Sequence, residues 1–83
     1  MKIMKLGIYS LNKILFQGEA KELNCKTASG EITVLNHHRP LITMLTKGEL
    51  KVIDTKDKAY HFSATSGFLE VQPGNTTRVI VEE

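Results

Sequence analysis

The 83 residues carry 11 Lys and Arg against 9 Asp and Glu, a net charge of +2 that is too mild to argue for nucleic acid. Hydrophobic residues at 41% and charged residues at 24% are ordinary for one small globular domain and leave no room for two. The longest purely apolar runs are three residues, Ile14-Leu15-Phe16 and Val79-Ile80-Val81, whereas a membrane-spanning helix needs about 20.

In chain order, the opening Met1-Lys2-Ile3-Met4-Lys5 lacks the apolar centre of a secretory signal. A strand is predicted from Lys13 to Lys26. Within it Ile14, Phe16, Gly18 and Ala20 share one parity and Leu23 and Cys25 the other, so the register must shift near Lys21-Glu22 through a bulge or a bend into a second sheet. Cys25 falls on the apolar parity and reads as a small buried hydrophobe. As the single cysteine it forms no internal disulfide, which fits a reducing cytoplasmic compartment. Ser29-Gly30 reads as a reversal, as does Lys47-Gly48. After the second, Leu50 and Val52 alternate with Glu49, Lys51 and Ile53. Beyond the turn Lys56-Asp57-Lys58, Tyr60, Phe62 and Ala64 fall on one side and Ala59, His61 and Ser63 on the other. Ser66-Gly67 precedes Leu69 and Val71, and Pro73-Gly74-Asn75 precedes Thr77, Val79 and Val81 on one parity. The period is two throughout and β-branched residues are frequent, so the expected fold is all-β, an antiparallel sandwich or barrel. Lysines and acids are interspersed, which marks a solvated surface.

Chemistry-bearing constellations do not emerge from the spacing. The glycines are scattered singly, with no phosphate-cradling loop. Glu82-Glu83 is a chain end, and Asp54 and Asp57 flank a turn. His37, His38 and His61 are not tied to a nucleophile, and with Cys25 they lack the paired-ligand spacing of structural zinc sites. The aromatics Tyr9, Phe16, Tyr60, Phe62 and Phe68 do not form a pair flanked by cations, as single-strand binding requires. The expectation is a non-enzyme without metal or cofactor. A small β-barrel nucleic-acid-binding module is the alternative.

The stretch Gly30-Glu31-Ile32-Thr33-Val34-Leu35-Asn36-His37-His38-Arg39-Pro40-Leu41-Ile42-Thr43-Met44-Leu45 goes further. It resembles the Gly-Glu-(apolar)-Gly-Ile-(apolar)-Pro-Gly-His-Ala-Pro-Leu-(apolar)-Thr stretch of the epsilon subunit of F-type ATP synthases. Phe16-Gln17-Gly18-Glu19-Ala20, Lys47-Gly48 and Gly67-Phe68-Leu69-Glu70-Val71-Gln72-Pro73-Gly74-Asn75 match further family stretches in order. Asn36-His37 stands where the family has Pro-Gly, which predicts a changed loop backbone. Arg39 replaces a small residue, Ser66 a glycine, and Arg78 a residue that is usually apolar, marking an edge or an interface.

The resemblance implies one β-sandwich domain over residues 1–83, two antiparallel sheets of roughly ten short strands. It implies a non-catalytic rotor subunit that links the gamma subunit to the membrane c-ring and couples ion flow to ATP synthesis. It would be peripheral at the cytoplasmic face of the cell membrane, without insertion into it, and a monomer when isolated. Carried over residue by residue, Ala28, Ser29, Gly30 and Glu31 face the ring, and Ser10, His38 and Thr43 face gamma or its neighbours. Family members usually continue into a pair of C-terminal helices that in many can inhibit ATP hydrolysis, and this sequence stops at Glu83 before them.

Overall fold

A computed structural model describes residues 3–82. Met1, Lys2 and Glu83, which entered the readings of the two chain ends, lie outside the described residues. Eight strands follow one another, β1 (Met4–Tyr9), β2 (Ile14–Thr27), β3 (Gly30–Leu35), β4 (Leu41–Leu45), β5 (Gly48–Asp54), β6 (Ala59–Ala64), β7 (Ser66–Gln72) and β8 (Thr76–Glu82). The count is eight and not ten because β2 runs unbroken for 14 residues and serves both layers.

The hydrogen-bonded ladder is continuous and folds over at β2 into two layers. The first half of β2 pairs with β1, which pairs in turn with β8, β7 and β4. The second half pairs with β3 on one side and β5 on the other, and β6 completes that layer. The fold-over lies where the two parities of β2 conflict, since the β2–β5 register shifts between Ala20 and Glu22. Ala20 is buried on the first parity, and Leu23 and Cys25 are buried on the second.

Two features depart from the sequence reading. The sheets are not wholly antiparallel, because β1 and β8 pair in parallel, from Lys5 opposite Thr76 to Tyr9 opposite Ile80. A parallel pair needs a long crossover, and here the crossover is nearly the whole chain. Ile14 also leaves the parity of Phe16. The β1–β2 register shifts between Ile8 and Tyr9, so Phe16 opposes Ile8 while Ile14 opposes Tyr9, and Leu15 is the extra residue of a bulge. Ile14 is consequently 58% exposed.

The core sits between the layers. Leu69, Val79 and Ile8 align across the first layer, and Val34, Leu23 and Val52 across the second, all fully buried. Phe16 from one layer meets Tyr60 from the other edge-to-face, with ring centroids 5.4 Å apart. Buried Thr77 donates its hydroxyl to the Met4 sulfur at 3.7 Å. Gly67 is required by packing, because a Cβ there would run into the carbonyl oxygen of Ile80 on the neighbouring strand.

Candidate docking face and the adjoining turn

Paired residues of adjacent strands share a face, so the registers also define what lies outside. On the outer face of the first layer Met44 opposes Phe68, Phe68 opposes Ile80, Ile80 opposes Tyr9, and Tyr9 opposes Ile14. This row crosses five strands without a charged residue. Ile42 adjoins it on β4 at 72% exposure, and Leu11 overhangs it from the β1–β2 loop at 94%. A groove of about 680 Å³ opens over part of the row and is lined by Met44, Phe68, Ile80, Ser10, Leu11 and Lys13. Isolated exposed apolar residues are commonplace, but a contiguous band of them marks an interaction surface.

The outer face of the second layer has the opposite character. Thr33, Asn24, Lys51 and His61 form one row across it. Asn24 donates to Thr33 Oγ1 at 2.9 Å, and His61 Nδ1 lies 3.0 Å from Glu49 Oε1. Glu31 opposes Lys26 on the same side. The first layer thus presents an apolar row beside polar ones that hold Glu70 and Arg78, whereas the row across the second layer is polar.

The turn Ala28–Glu31 joins β2 to β3 and is exposed throughout. Its shape is tightly set. Thr27 Oγ1 donates to the Gly30 carbonyl at 2.7 Å and accepts from the Ser29 amide at 3.1 Å. Gly30 has φ 116°, a conformation side-chain-bearing residues rarely adopt. Ala28 donates its amide to the Met44 carbonyl, which locks the turn to the end of β4. Glu31 thus projects from a rigid tip at the same end of the sandwich as the Ser10 loop.

The three gamma-facing candidates frame the apolar face without touching one another. Ser10 follows β1 at one end and lines the groove, its amide bonded to the Lys13 carbonyl at 2.9 Å. His38 precedes β4 at the other end, half-buried, with Nδ1 2.8 Å from the Arg39 carbonyl. Thr43 lies on β4 between them. It opposes buried Leu69, so its side chain has the inner parity, and Ile42 and Met44 beside it point outward.

The β3–β4 loop carrying His38 turns through a left-handed residue. His37 takes φ 59°, the left-handed region, in place of the family glycine. Its amide donates to Asn75 Oδ1 at 2.6 Å, and Asn75 Nδ2 donates to the Ile3 carbonyl at 2.7 Å. One side chain on the β7–β8 turn therefore ties this loop to the first strand. Arg78 is not at an edge. It lies on the outer face of β8, inside the layer, with Nη1 4.0 Å from Glu70 Oε1.

Two groups have perturbed acidity. Burial pushes the Cys25 thiol up to about 11. The Asp54 carboxyl is held below its usual value, chiefly by the Lys58 amide, with the Lys56 amide and the Tyr60 hydroxyl assisting. It closes the β5–β6 turn, accepting those three hydrogen bonds at 2.8–3.1 Å. Among the described residues no three His, Cys, Asp or Glu converge on a metal-sized site.

The sequence reading did not name the residues of this apolar row as a site. Ile42, Met44, Phe68, Ile80 and Leu11 were not assigned. The signal was present as apolar residues on both parities, in Leu41-Ile42-Thr43-Met44-Leu45, Phe68-Leu69 and Val79-Ile80-Val81. Strands apolar on both faces are strands covered on both faces.

Comparison with known proteins places these observations. The family model described as "ATP synthase, Delta/Epsilon chain, beta-sandwich domain" matches residues 3–83. The ATP synthase epsilon chain of Clostridium novyi (strain NT) is 36% identical over 80 residues, covering 96% of this chain and 59% of that one. That of Bordetella avium (strain 197N) is 32% identical over 77 residues, covering 93% and 55%. The chain thus spans somewhat over half the length of these relatives. Among solved structures, a chain of the Euglena gracilis mitochondrial ATP synthase (OSCP/F1/c-ring) superposes with a TM-score of 0.88 at 22% identity, covering 94% of this chain and 49% of that one. A chain of the Tetrahymena thermophila mitochondrial ATP synthase central stalk and c-ring does so with 0.80 at 20%, covering 96% and 63%. At such identities the likeness is one of fold.

Proposed function

Because the chain belongs to the family of the ATP synthase delta/epsilon-chain β-sandwich domain, we propose that it works as a non-catalytic subunit of the rotor, joining the gamma subunit to the c-ring. The observation that carries this is the apolar row on the outer face of the first layer, Met44-Phe68-Ile80-Tyr9-Ile14 with Ile42 and Leu11, set against a polar row across the second layer. In this reading gamma covers the apolar row, with Ser10 and His38 at its ends, while the Thr43 side chain, of inner parity, lies beneath it. The rigid turn Ala28–Glu31 meets the polar loops of the ring. A two-layer core is stiff, as transmission of torque requires. The subunit then sits at the membrane surface through the ring and on its cytoplasmic side.

Family membership supports this reading over the nucleic-acid-binding alternative, and the apolar row, with Phe68 set between Met44 and Ile80, offers apolar packing more than phosphate contact. The test is a pull-down of gamma and of a gamma–c-ring assembly. Wild type binds, and Phe68→Asp and Met44→Asp abolish binding while melting as wild type does. Full retention of binding by both variants would remove the apolar row as the gamma site.

A further inference from the structure

The loop of residues 36–40 crosses from the second layer, where β3 ends at Leu35, to the first, where β4 begins at Leu41. One local bond shapes it, donated by the His38 amide to the Leu35 carbonyl at 3.2 Å. Among the described residues a single hydrogen bond ties it to another element. The His37 amide donates that bond to Asn75 Oδ1 at 2.6 Å.

Asn75 is held in turn from other directions. It sits on the β7–β8 turn beside Gly74, and both are left-handed, at φ 64° and 87°. Asparagine is one of the few side-chain-bearing residues that adopt this conformation readily. Its backbone carbonyl accepts the Lys5 amide at 3.1 Å, and its Nδ2 donates to the Ile3 carbonyl at 2.7 Å. The neighbours fix the orientation of the carboxamide, because an amide N–H requires Oδ1 and a carbonyl requires Nδ2. Both ends of one short side chain are therefore in use, one on the loop and one on the segment entering β1.

The two ends differ in what depends on them. β1 is also held by the main-chain bond from Lys5 to Asn75 and by its ladder with β8, from Lys5 to Tyr9. The loop has no such second support. His37 holds φ 59°, which a side-chain-bearing residue leaves when nothing fixes it. A loop freed in this way must be ordered at the moment of docking, and that ordering weakens binding.

We propose that Asn75 is a positioning residue for the partner surface, holding the segment His37–Arg39 through the His37 amide in the shape that the gamma subunit binds. The proposal rests on the gamma-docking reading above. It adds that the end of the interface carried by His38 is preorganised from a different hairpin.

The test uses the 83-residue chain and the gamma subunit of the same organism, well below the melting temperature of every variant. Asn75→Gly keeps the left-handed backbone and the Lys5 bond and deletes both side-chain bonds. Asn75→Asp keeps an acceptor for His37 and loses the donor to Ile3. In the free chain, hydrogen exchange should find the His37 amide protected in wild type and in Asn75→Asp, and unprotected in Asn75→Gly. In titrations with gamma, Asn75→Gly should bind about three- to tenfold more weakly, and Asn75→Asp should recover to within about twofold of wild type. A residue that served stability alone would not sort the variants this way, because Asn75→Asp sets a carboxylate against the Ile3 carbonyl and lowers the melting temperature as well. Phe68→Asp is the control for the docking face. If Phe68→Asp abolishes binding while Asn75→Gly binds as wild type does, or while Asn75→Asp binds as weakly as Asn75→Gly, the proposal is overturned with the docking reading intact. An unprotected His37 amide in wild type overturns it as well. If wild type does not bind gamma, both are overturned.

Discussion

At the scale of single residues, position in the pleat decides consequence. Cys25 is 1% exposed and its thiol is pushed up to about 11 by burial. A raised pKa means that the folded state holds its proton more tightly than the unfolded chain. The associated stability is complete below the ordinary thiol value of 9.0 and is lost as pH rises from there towards about 11. Thermal melts between pH 8 and 11 should show this decline, and Cys25→Ala should remove part of it. Glu31 is the opposite case, a solvated carboxylate on a rigid tip. Glu31→Lys should leave the melting temperature unchanged and weaken ring binding by about fivefold, given that rim charges contribute up to about 1 kcal/mol. Unaltered ring binding and unaltered coupling would separate this turn from the ring. His37 holds a left-handed conformation that costs a side-chain-bearing residue about 1 kcal/mol. His37→Gly should raise the melting temperature by up to about 4–8 °C, and β-branched His37→Val should lower it.

At the scale of elements, a strand of the first layer can carry apolar residues with different duties on its two faces. Adjacent residues on β7 separate them. Leu69 is fully buried and Phe68 is 54% exposed. Leu69→Ala should cost about 2–5 kcal/mol in chemical denaturation, as buried Leu→Ala changes do. Phe68→Ala should cost under about 1 kcal/mol and instead weaken binding to gamma. Equal losses of stability at the two sites would mean that the row is part of the core. Hairpins are closed locally, with Asp54 gathering the β5–β6 turn and Thr27 the β2–β3 turn. The longer β3–β4 loop is closed from a distance by Asn75, so its shape depends on the finished fold.

At the scale of the molecule, these 83 residues should fold by themselves, because the two layers close on a shared core with no buried side-chain polar atom left unpaired among the described residues. A single cooperative melt and a monomeric mass are expected. Added to an enzyme depleted of its epsilon subunit, the chain should restore coupling without lowering ATP hydrolysis. A clear fall in hydrolysis would show that the sandwich itself is inhibitory. The strand class, the inner parities of β5 to β8, the burial of Cys25 and the fold-over near Lys21-Glu22 were all legible in the sequence, because a period of two and its breaks are local properties. The parallel pairing of β1 with β8 was not, since it joins the two ends of the chain across every other strand. Nor was the outward turn of Ile14, which depends on a bulge defined only against β1. The apolar row was half legible. Residues apolar on both parities announced two buried faces, but the sequence does not say which face the second layer covers. That is decided by non-local pairing, which brought Met44, Phe68, Ile80, Tyr9 and Ile14 from five strands into one row and left it open.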